Sequence, residues 1–304
     1  MSEPTISIVT PSYNQAKYIE WTVRSVILQR YPKLEYVMMD GGSNDGSLDI
    51  LRRYEPHFHH IESGRDKGQS DALKRGFRMT SGDIMAYINS DDLLAPDTLY
   101  WVADFFARHP KVDAVYSNRC AVNATNEVIW YWNLPPHIDY LMKRWDLIPQ
   151  ETCFWRRRIY EAVGGVDSSF SFAMDYDLFV KFMKTGRVSR ADRFLGAFRQ
   201  HSEGKTSTQL ENVGAQEIQR VWATHCITAH RWDEVVGAAF RRLVELKSYV
   251  FVQSMQERPG AFPGVGYNYD DIWAGQLTSS RIPPAASGNQ ERPIRRSVSP
   301  FARG

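Results

Sequence analysis

The sequence has little of several features that would point to other classes of protein. Its 304 residues contain only three cysteines, and the formal net charge is only +2. Cys120, Cys153 and Cys226 are widely separated and odd in number, so neither a metal-binding spacing nor a disulfide framework is present. The small net charge gives no reason to expect nucleic acid as a partner. We therefore expect buried thiols in a reducing compartment and no nucleic-acid binding.

Long apolar runs and a targeting segment are also missing. No run approaches the ~20 consecutive apolar residues that cross a bilayer. Met1 leads directly into the strand-like residues 6–9, without a charged and then apolar leader. These absences predict a cytoplasmic protein, and they leave open a peripheral contact with the inner face of a membrane.

The composition is that of a globular chain with one uneven feature. Hydrophobic residues make up 43% of the sequence and aromatic residues 13%, which suffices for one sizeable core, alone or with a smaller appendage. The basic excess lies in residues 279–304, which contain five Arg and one Glu. From residue 258 onward Pro, Gly, Ser and Arg are frequent and apolar residues are few, so we predict that this tail is mostly disordered.

Strand and helix patterns alternate through the first part of the chain. The apolar runs that predict strands lie at residues 6–10, 34–40, 58–62, 84–88 and 112–117. Segments with helical periodicity lie between them, at residues 18–29, 47–54, 69–79 and 96–109. Repeated β-α units of this kind predict an α/β fold with a mostly parallel sheet, right-handed crossovers and flanking helices.

The pattern changes after residue 118. Further strands are predicted at residues 128–132, 152–155 and 194–200, and further helices at residues 157–163, 175–185 and about 209–256. The last helical region carries an apolar stripe made of Val235, Val236, Phe240, Leu243 and Leu246. The stripe favours packing against the rest of the protein or a homodimer partner, and contact with a membrane is the alternative.

Polar residues follow the first strands, at the places where an open parallel sheet binds ligands. The segments concerned are residues 10–14, 40–46, 63–68 and 89–92. Within the last of them, Asp91 and Asp92 either bind Mg²⁺ or Mn²⁺ together with substrate phosphates, or cap the next helix. Because the other strand ends are polar as well, a metal–phosphate site is favoured.

Two residues at these strand ends have two interpretations each. Asp40 closes an apolar strand before a Gly-Gly pair, so it either hydrogen-bonds a base or ribose or fixes its own turn. Tyr13 either stacks on a base or packs the turn.

Nine short motifs follow one another over two-thirds of the chain. They are Pro11-Ser12-Tyr13-Asn14, Asp40-Gly41-Gly42-Ser43-Asn44-Asp45-Gly46, Asp66-Lys67-Gly68, Asp71-Ala72-Leu73, Ile88-Asn89-Ser90-Asp91-Asp92, Pro149-Gln150-Glu151-Thr152-Cys153-Phe154-Trp155-Arg156-Arg157, Gly164-Gly165-Val166-Asp167, Asp175-Tyr176-Asp177-Leu178 and Arg199-Gln200-His201. Through these motifs, residues 6–207 resemble the family 2 glycosyltransferases, which have the GT-A fold. Within that family the chain is similar to cytosolic enzymes that build bacterial polysaccharides and glycolipids.

The resemblance implies an inverting transfer of a sugar from a nucleotide diphosphate sugar, with UDP expected, to a hydroxyl of a glycan or a lipid-linked acceptor. It implies nucleotide contacts by Pro11, Ser12, Tyr13, Asp40, Asp66, Gly68, Ser90 and Asp91. It implies that Mn²⁺ or Mg²⁺ is held by Asp91, Asp92 and His201. It implies that Asp175 is the general base on the acceptor hydroxyl, and that the donor sugar or acceptor is bordered by Gln150, Glu151 and Trp155.

The same resemblance implies a division of the chain. Residues 1–207 form the GT-A domain, with a nucleotide-binding half at 1–118 and an acceptor half at 119–207. Residues 208–257 form a helical C-terminal region, and residues 258–304 form the tail. Two alternatives to a transferase remain at this stage, namely a nucleotidyltransferase that makes an activated sugar and a non-catalytic module that binds nucleotide sugars.

Three positions depart from the pattern of the family. Asn89 stands where many relatives have the first acid of the Asp-X-Asp motif, which leaves Asp91 as the main expected metal ligand. Met174 replaces the acid that often precedes the base, and Lys74 replaces a frequent Asn. From the residues alone, Asp175 is also compatible with a plain helix N-cap, and His201 with a loop histidine that binds nothing.

The acceptor side is less defined by the sequence. Four tryptophans fall in the second half of the chain, and each either stacks on a sugar or packs in the core. They are Trp130, Trp132, Trp145 and Trp155.

Overall fold

The computed structural model describes residues 3–257, apart from the side chains of Ser207 and of residues 253–257. The segment 258–304, which we predict to be mostly disordered, lies outside the described residues. Within the described part, none of the helices is long and apolar enough to cross a membrane.

Within residues 3–257, nine strands form one sheet in the order β3-β2-β1-β4-β8-β6-β9-β5, with β7 beside β6. Their bounds are β1 Ile6–Ser12, β2 Leu34–Asp40, β3 His60–Ser63, β4 Ile84–Tyr87, β5 Leu93–Leu94, β6 Ala114–Val122, β7 Val128–Trp132, β8 Phe154–Arg156 and β9 Val188–Arg199. Most strands begin or end within a few residues of their predicted limits, whereas β9 begins six residues earlier than predicted.

Helices flank the sheet and form the C-terminal region. Their bounds are α1 Ile19–Ile27, α2 Ser47–Arg53, α3 Gln69–Arg78, α4 Thr98–Arg108, α5 Asp139–Arg144, α6 Arg157–Ala162, α7 Met174–Thr185, α8 Lys205–Gln209, α9 Ala215–Thr224 and α10 Asp233–Glu257. A π-helical turn, Leu210–Gly214, joins α8 to α9. The long helical region that the sequence predicts is therefore confirmed, but it is divided into separate helices.

The sheet is parallel only in its first part. Strands β3, β2, β1 and β4 are parallel to one another, as the repeated β-α units predict. Beyond β4 the sheet is mixed, because β8 runs antiparallel to both β4 and β6, and β9 runs parallel to β6. The prediction of a mostly parallel sheet is thus confirmed for the nucleotide-binding half and is wrong for the acceptor half, where strand direction depends on contacts between distant segments.

Both faces of the central strands are buried, which explains their continuous apolar runs. Val9 faces one core with Val37 and Met39, whereas Ile8 faces the other core with Tyr36, because successive side chains point to opposite faces. Helix α3 lies close to β1, since a Cβ added at Gly76 would be 2.5 Å from Val9. This close packing brings the start of α3 to the same sheet edge as the end of β1.

Helix α10 buries a different stripe from the one predicted. Phe240 and Val244 are buried at 5% and 3% exposure, whereas Val235, Leu243 and Leu246 are between 45% and 60% exposed. The prediction that the five residues of this stripe form one packing face is therefore wrong. Residues four apart lie above one another on a helix, so the buried set is centred on Phe240 and Val244.

Candidate active site

The ends of β1, β2 and β3 lie side by side at one edge of the sheet, where Ser12 pairs with Asp40 and Asp40 with Ser63. The Asp40 carboxylate accepts hydrogen bonds from the backbone N–H groups of Gly42 (3.1 Å) and Ser43 (3.0 Å). It also accepts from the hydroxyls of Ser43 (2.5 Å) and Ser63 (2.6 Å). Asp40 therefore fixes the loop that follows it, which is one of its two predicted roles, and its contact with a nucleotide stays a prediction.

The end of β1 and the residue after it carry a polar and an aromatic group that could contact a ligand. Pro11 and Ser12 are buried, and the Ser12 hydroxyl has no hydrogen-bond partner among the described residues. A buried polar atom without a partner is costly, so a ligand group that bonds it would stabilise the site. Beside it the Tyr13 ring is 61% exposed, which leaves a face open for stacking on a base.

The loop after β3 closes against the loop after β2. The Asp66 carboxylate accepts a hydrogen bond from the backbone N–H of Gly68 (2.8 Å). A Cβ at Gly41 would lie 3.1 Å from the same carboxylate. The structure thus brings the predicted nucleotide residues Asp40 and Asp66 to adjoining loops.

Asp91 and His201 come together although 110 residues separate them. His201 Nε2 lies 3.0 Å from Asp91 Oδ2, and the imidazole packs on the buried Tyr18 ring with the centroids 4.6 Å apart. Arg199 Nε donates to the backbone oxygen of Asp91 (2.8 Å), so the end of β9 holds both the Asp91 loop and His201. Ser90, next to Asp91, is buried.

Asp92 is turned into the protein, unlike Asp91. Its carboxylate is 2% exposed and accepts hydrogen bonds from the backbone N–H of Arg199 (2.9 Å) and the side-chain amide of Asn89 (3.1 Å). Burial, with the charge of Asp91 added, raises the pKa of Asp92 well above its ordinary value. In the part of the chain that is described, no group of three or more His, Cys, Asp or Glu side chains is arranged to hold a metal ion. Asp92 thus bonds other residues of the protein, and metal binding by Asp91, Asp92 and His201 stays a prediction.

The hydrogen bonds of Asn89 explain why this position carries an amide instead of a carboxylate. The Asn89 side chain donates to both Asp92 and Gln150 Oε1 (3.0 Å) and accepts from Gln69 Nε2 (2.7 Å). Gln150 in turn donates to the backbone oxygen of Tyr87 (2.7 Å). An ionised carboxylate at position 89 has no hydrogen to donate, so it would break two of these bonds. Gln150 therefore hydrogen-bonds other residues of the protein, and its contact with the donor sugar or acceptor stays a prediction.

Asp175 occupies the first turn of α7, where it is partly exposed. Its carboxylate accepts a hydrogen bond from the backbone N–H of Tyr176 (2.9 Å), and burial raises the pKa of Asp175 above its ordinary value. Asp177 differs, because it is 1% exposed and bonds His225 (2.8 Å) and Lys181 (2.7 Å). Asp177 is therefore structural, whereas Asp175 is partly exposed and its role as the base stays a prediction.

Two further charged residues near Asp175 were not predicted. Arg119 makes two bonds of 2.8 Å each to the buried carboxylate of Glu151, so Glu151 holds Arg119 rather than facing a ligand. Asp146 has a pKa raised well above its ordinary value by burial and by the charge of Asp175. Arg119 opposes these effects, since its charge lowers the pKa of both Asp146 and Asp175. No local motif marks Arg119 or Asp146, because only the folded sheet brings them to Asp175.

The four tryptophans of the second half divide into two groups. Trp155 has no exposed surface and packs among aromatic rings that include Phe182, so the prediction that it contacts a sugar is wrong. Trp145 is partly exposed and packs against the core, where it approaches Gly237 of α10. Trp130 and Trp132 are partly exposed on β7 and lie edge to face, with centroids 6.0 Å apart.

Comparison with known proteins agrees with this geometry. A family model described as Glycosyl transferase family 2 matches residues 7–163, which is more than half of the chain. A PGL/p-HBAD biosynthesis glycosyltransferase of Mycobacterium bovis is 29% identical over 248 residues, covering 79% of this chain and 95% of that protein. The chondroitin synthase of Escherichia coli is 27% identical over 215 residues, covering 68% of this chain and 31% of that protein.

Solved structures show the same fold. Residues 1–349 of S. aureus TarS, in complex with UDP-GlcNAc, have a TM-score of 0.61 and 19% identity, covering 74% of this chain and 67% of that one. The mannosyltransferase PcManGT of Pyrobaculum calidifontis, in complex with GDP-Man and Mn²⁺, has a TM-score of 0.58 and 19% identity, covering 90% and 80%. The predicted GT-A fold is thereby confirmed, and the chain belongs to the family 2 glycosyltransferases.

Proposed function

We propose that the protein transfers one sugar, with inversion, from a nucleotide diphosphate sugar to a hydroxyl of a glycan or glycolipid. The observation that carries the proposal is a chain of hydrogen bonds between the Asp91 loop and the segment before Asp175. Gln69 donates to Asn89 (2.7 Å), and Lys205 donates both to Gln69 (2.7 Å) and to the backbone oxygen of Ser171 (3.0 Å). A base and a diphosphate site that share one cleft are what a direct displacement at a sugar carbon requires.

The donor is proposed to be a UDP-sugar. Its base would lie against the exposed ring of Tyr13, and the unpaired Ser12 hydroxyl and the loops of Asp40 and Asp66 would complete the nucleotide pocket. The support for uridine in particular is the S. aureus TarS structure, which contains UDP-GlcNAc and has the same fold.

A divalent cation fits the diphosphate end of this cleft. The Asp91 carboxylate and the His201 imidazole are 3.0 Å apart, and an oxygen–nitrogen pair of this kind suits Mn²⁺ when phosphate oxygens complete the coordination. When bound there, the ion would neutralise the charge that develops on the leaving diphosphate. The GDP-Man and Mn²⁺ complex of the P. calidifontis mannosyltransferase supports this choice of metal.

In the transfer itself, Asp175 would take the proton of the acceptor hydroxyl. The hydroxyl oxygen forms the new bond to the anomeric carbon while the bond from that carbon to the diphosphate breaks on the opposite side, which inverts the configuration. A raised pKa makes Asp175 a stronger base than an exposed aspartate, and the charge of Arg119 opposes the effect of burial on that pKa.

The acceptor is proposed to lie on the sheet face formed by β6, β7 and β9. Trp132 lies opposite Arg119 in the strand pairing, and the guanidinium is 5.4 Å from the Trp132 ring and 4.7 Å from the Phe198 ring. Trp130 continues the face and donates to Gln200 (3.2 Å). Partly exposed indole rings stack on the C–H faces of sugars. Because Glu151 neutralises Arg119, this face favours an uncharged sugar.

A screen of nucleotide sugars with and without Mn²⁺ tests the proposal, because a ligand that binds only the native state raises the melting temperature. We expect a UDP-sugar to give the largest metal-dependent shift, and the same donor to be consumed when glycan acceptors are added. Release of pyrophosphate from a nucleoside triphosphate would instead indicate a nucleotidyltransferase. Donor binding without hydrolysis or transfer, over a broad panel of acceptors, would indicate a binding module.

A further inference from the structure

The C-terminal region holds the segment that leads into α7, which we call the entry segment, residues 169–173. Three residues spaced by three positions contact it, namely Gly214, Glu217 and Arg220. The Phe172 ring lies so close to Gly214 that an added Cβ would be 2.9 Å from it. Arg220 donates to the backbone oxygen of Ser169 (3.2 Å) and lies 4.2 Å from the centre of the Phe170 ring. One side of this helical region therefore follows the entry segment along its length.

Glu217 makes the most extensive of these contacts. Its carboxylate accepts hydrogen bonds from the backbone N–H groups of Ser171 (2.8 Å), Phe172 (2.7 Å) and Ala173 (2.9 Å). It also accepts from the Ser171 hydroxyl (3.0 Å). One carboxylate on α9 thus fixes three consecutive backbone groups, and the last of them is two residues before Asp175.

Helix α7 has no side-chain hydrogen bond at its N-cap, and Glu217 bonds the backbone N–H of the N-cap residue from outside the helix. Its N-cap residue, Ala173, has no side-chain oxygen, and the first N–H groups of a helix have no partner within the helix. A carboxylate near a helix N-terminus also interacts favourably with the helix dipole. Burial would raise the pKa of Glu217, but the hydrogen bonds outweigh it and lower the pKa. These bonds therefore stabilise the fold above the ordinary pKa of about 4.3 and are lost as the pH falls further.

The entry segment is held on its other side by Lys205 of α8 and by the start of α3 in the nucleotide-binding half. Lys205 Nζ donates to the backbone oxygen of Ser171 (3.0 Å) and to Gln69 Oε1 (2.7 Å). The hydroxyl of Ser70 donates to the backbone oxygen of Phe170. The segment before Asp175 is thus fixed between the C-terminal region and the start of α3.

We propose that Glu217 is a positioning residue that keeps Asp175 in place for proton removal. The inference rests on the proposed role of Asp175 as the base. It makes the helical C-terminal region part of the active site, although Glu217 lies beyond both the predicted GT-A domain and the segment matched by the family model.

The test compares Glu217→Ala and Glu217→Gln with Glu245→Gln, a control on an exposed glutamate of α10. We expect Glu217→Ala to lower kcat at least about tenfold, because small displacements of a base are costly, while the donor dissociation constant changes less than about twofold. The kcat of Glu217→Gln should lie between those of Glu217→Ala and the wild type, since an amide oxygen still accepts some of the hydrogen bonds. Hydrogen exchange at residues 171–173 should accelerate in both variants and stay unchanged in the control.

The proposal is overturned if kcat of the folded variants stays within about twofold of the wild type, or if donor affinity falls in parallel with kcat. Unchanged exchange at residues 171–173 would overturn it as well. If Glu217→Ala does not fold, Glu217→Gln decides on the same criteria. Should the wild type itself transfer no sugar, the proposed function fails, whereas hydrogen exchange still decides whether Glu217 holds the entry segment.

Discussion

The nucleotide-binding half and the acceptor half of the molecule are built in different ways. At the nucleotide end, Asp40 is bonded by groups of its own loop and of the next strand in the chain. Beyond the nucleotide-binding half, Arg119 meets Glu151 and Glu217 meets Ser171, pairs that lie 32 and 46 residues apart. A loop fixed by its own residues leaves a short motif in the sequence. A site assembled from distant segments leaves no such motif, so it is found only in the folded chain.

The largest expected effect concerns the base. Replacing Asp175 by Asn should lower the rate of transfer by roughly 10²–10⁴-fold, the usual contribution of a general base, and leave donor affinity unchanged. Transfer assays and calorimetric titration of the donor measure the two quantities. Asp177→Asn is the contrasting variant, because it disturbs the bonds to His225 and Lys181 and should lower the melting temperature instead. Full transfer activity in Asp175→Asn would remove the base assignment.

The second prediction concerns the contact between Asp91 of the nucleotide-binding half and His201 of the acceptor half. Asp91→Ala should weaken donor binding in the presence of Mn²⁺ by about tenfold or more and should leave binding without metal nearly unchanged. Titration of UDP with and without Mn²⁺ measures this. Asp104→Ala, an exposed acid of α4, serves as the control. Equal affinity of the wild type with and without the metal would contradict the proposed metal site.

The third prediction separates acceptor from donor. Trp132→Ala should raise the KM for the acceptor about two- to tenfold, because aromatic stacking contributes about 0.5–1.5 kcal/mol, and should leave the KM for the donor unchanged. Trp232, 60% exposed and not on this sheet face, provides the matched Trp→Ala control. Steady-state kinetics with each substrate varied in turn decide the matter. A parallel rise in both KM values would argue against an acceptor site on β7.

The smallest effect is a change in the pH profile. Because burial raises the pKa of Asp175, the loss of activity on the acid side should begin above the ordinary value of about 3.9. The charge of Arg119 lowers the pKa of Asp175, so Arg119→Gln should raise that pKa and move this limb to higher pH. The dependence of kcat/KM on pH measures the shift. A limb that moves to lower pH, or not at all, would show that the charge of Arg119 does not act on Asp175.

The sequence by itself determined the elements of the first half and the order of the strand-end motifs. Alternating apolar runs and helical stripes predicted β1 to β4 with their helices, because β1, β2 and β4 are largely buried on both faces and the turns are local. The same local character made Asp40 and the Ser90-Asp91-Asp92 segment recognisable.

Only the tertiary structure decided which residues are buried and which lie around Asp175. It turned Asp92 inward, buried Trp155, and brought Arg119, Asp146 and Glu217 to the surroundings of Asp175. It also set the mixed strand directions of the acceptor half. The physical reason is that burial and the pairing of charges depend on contacts between segments far apart in the chain, and no local pattern of residues records those contacts.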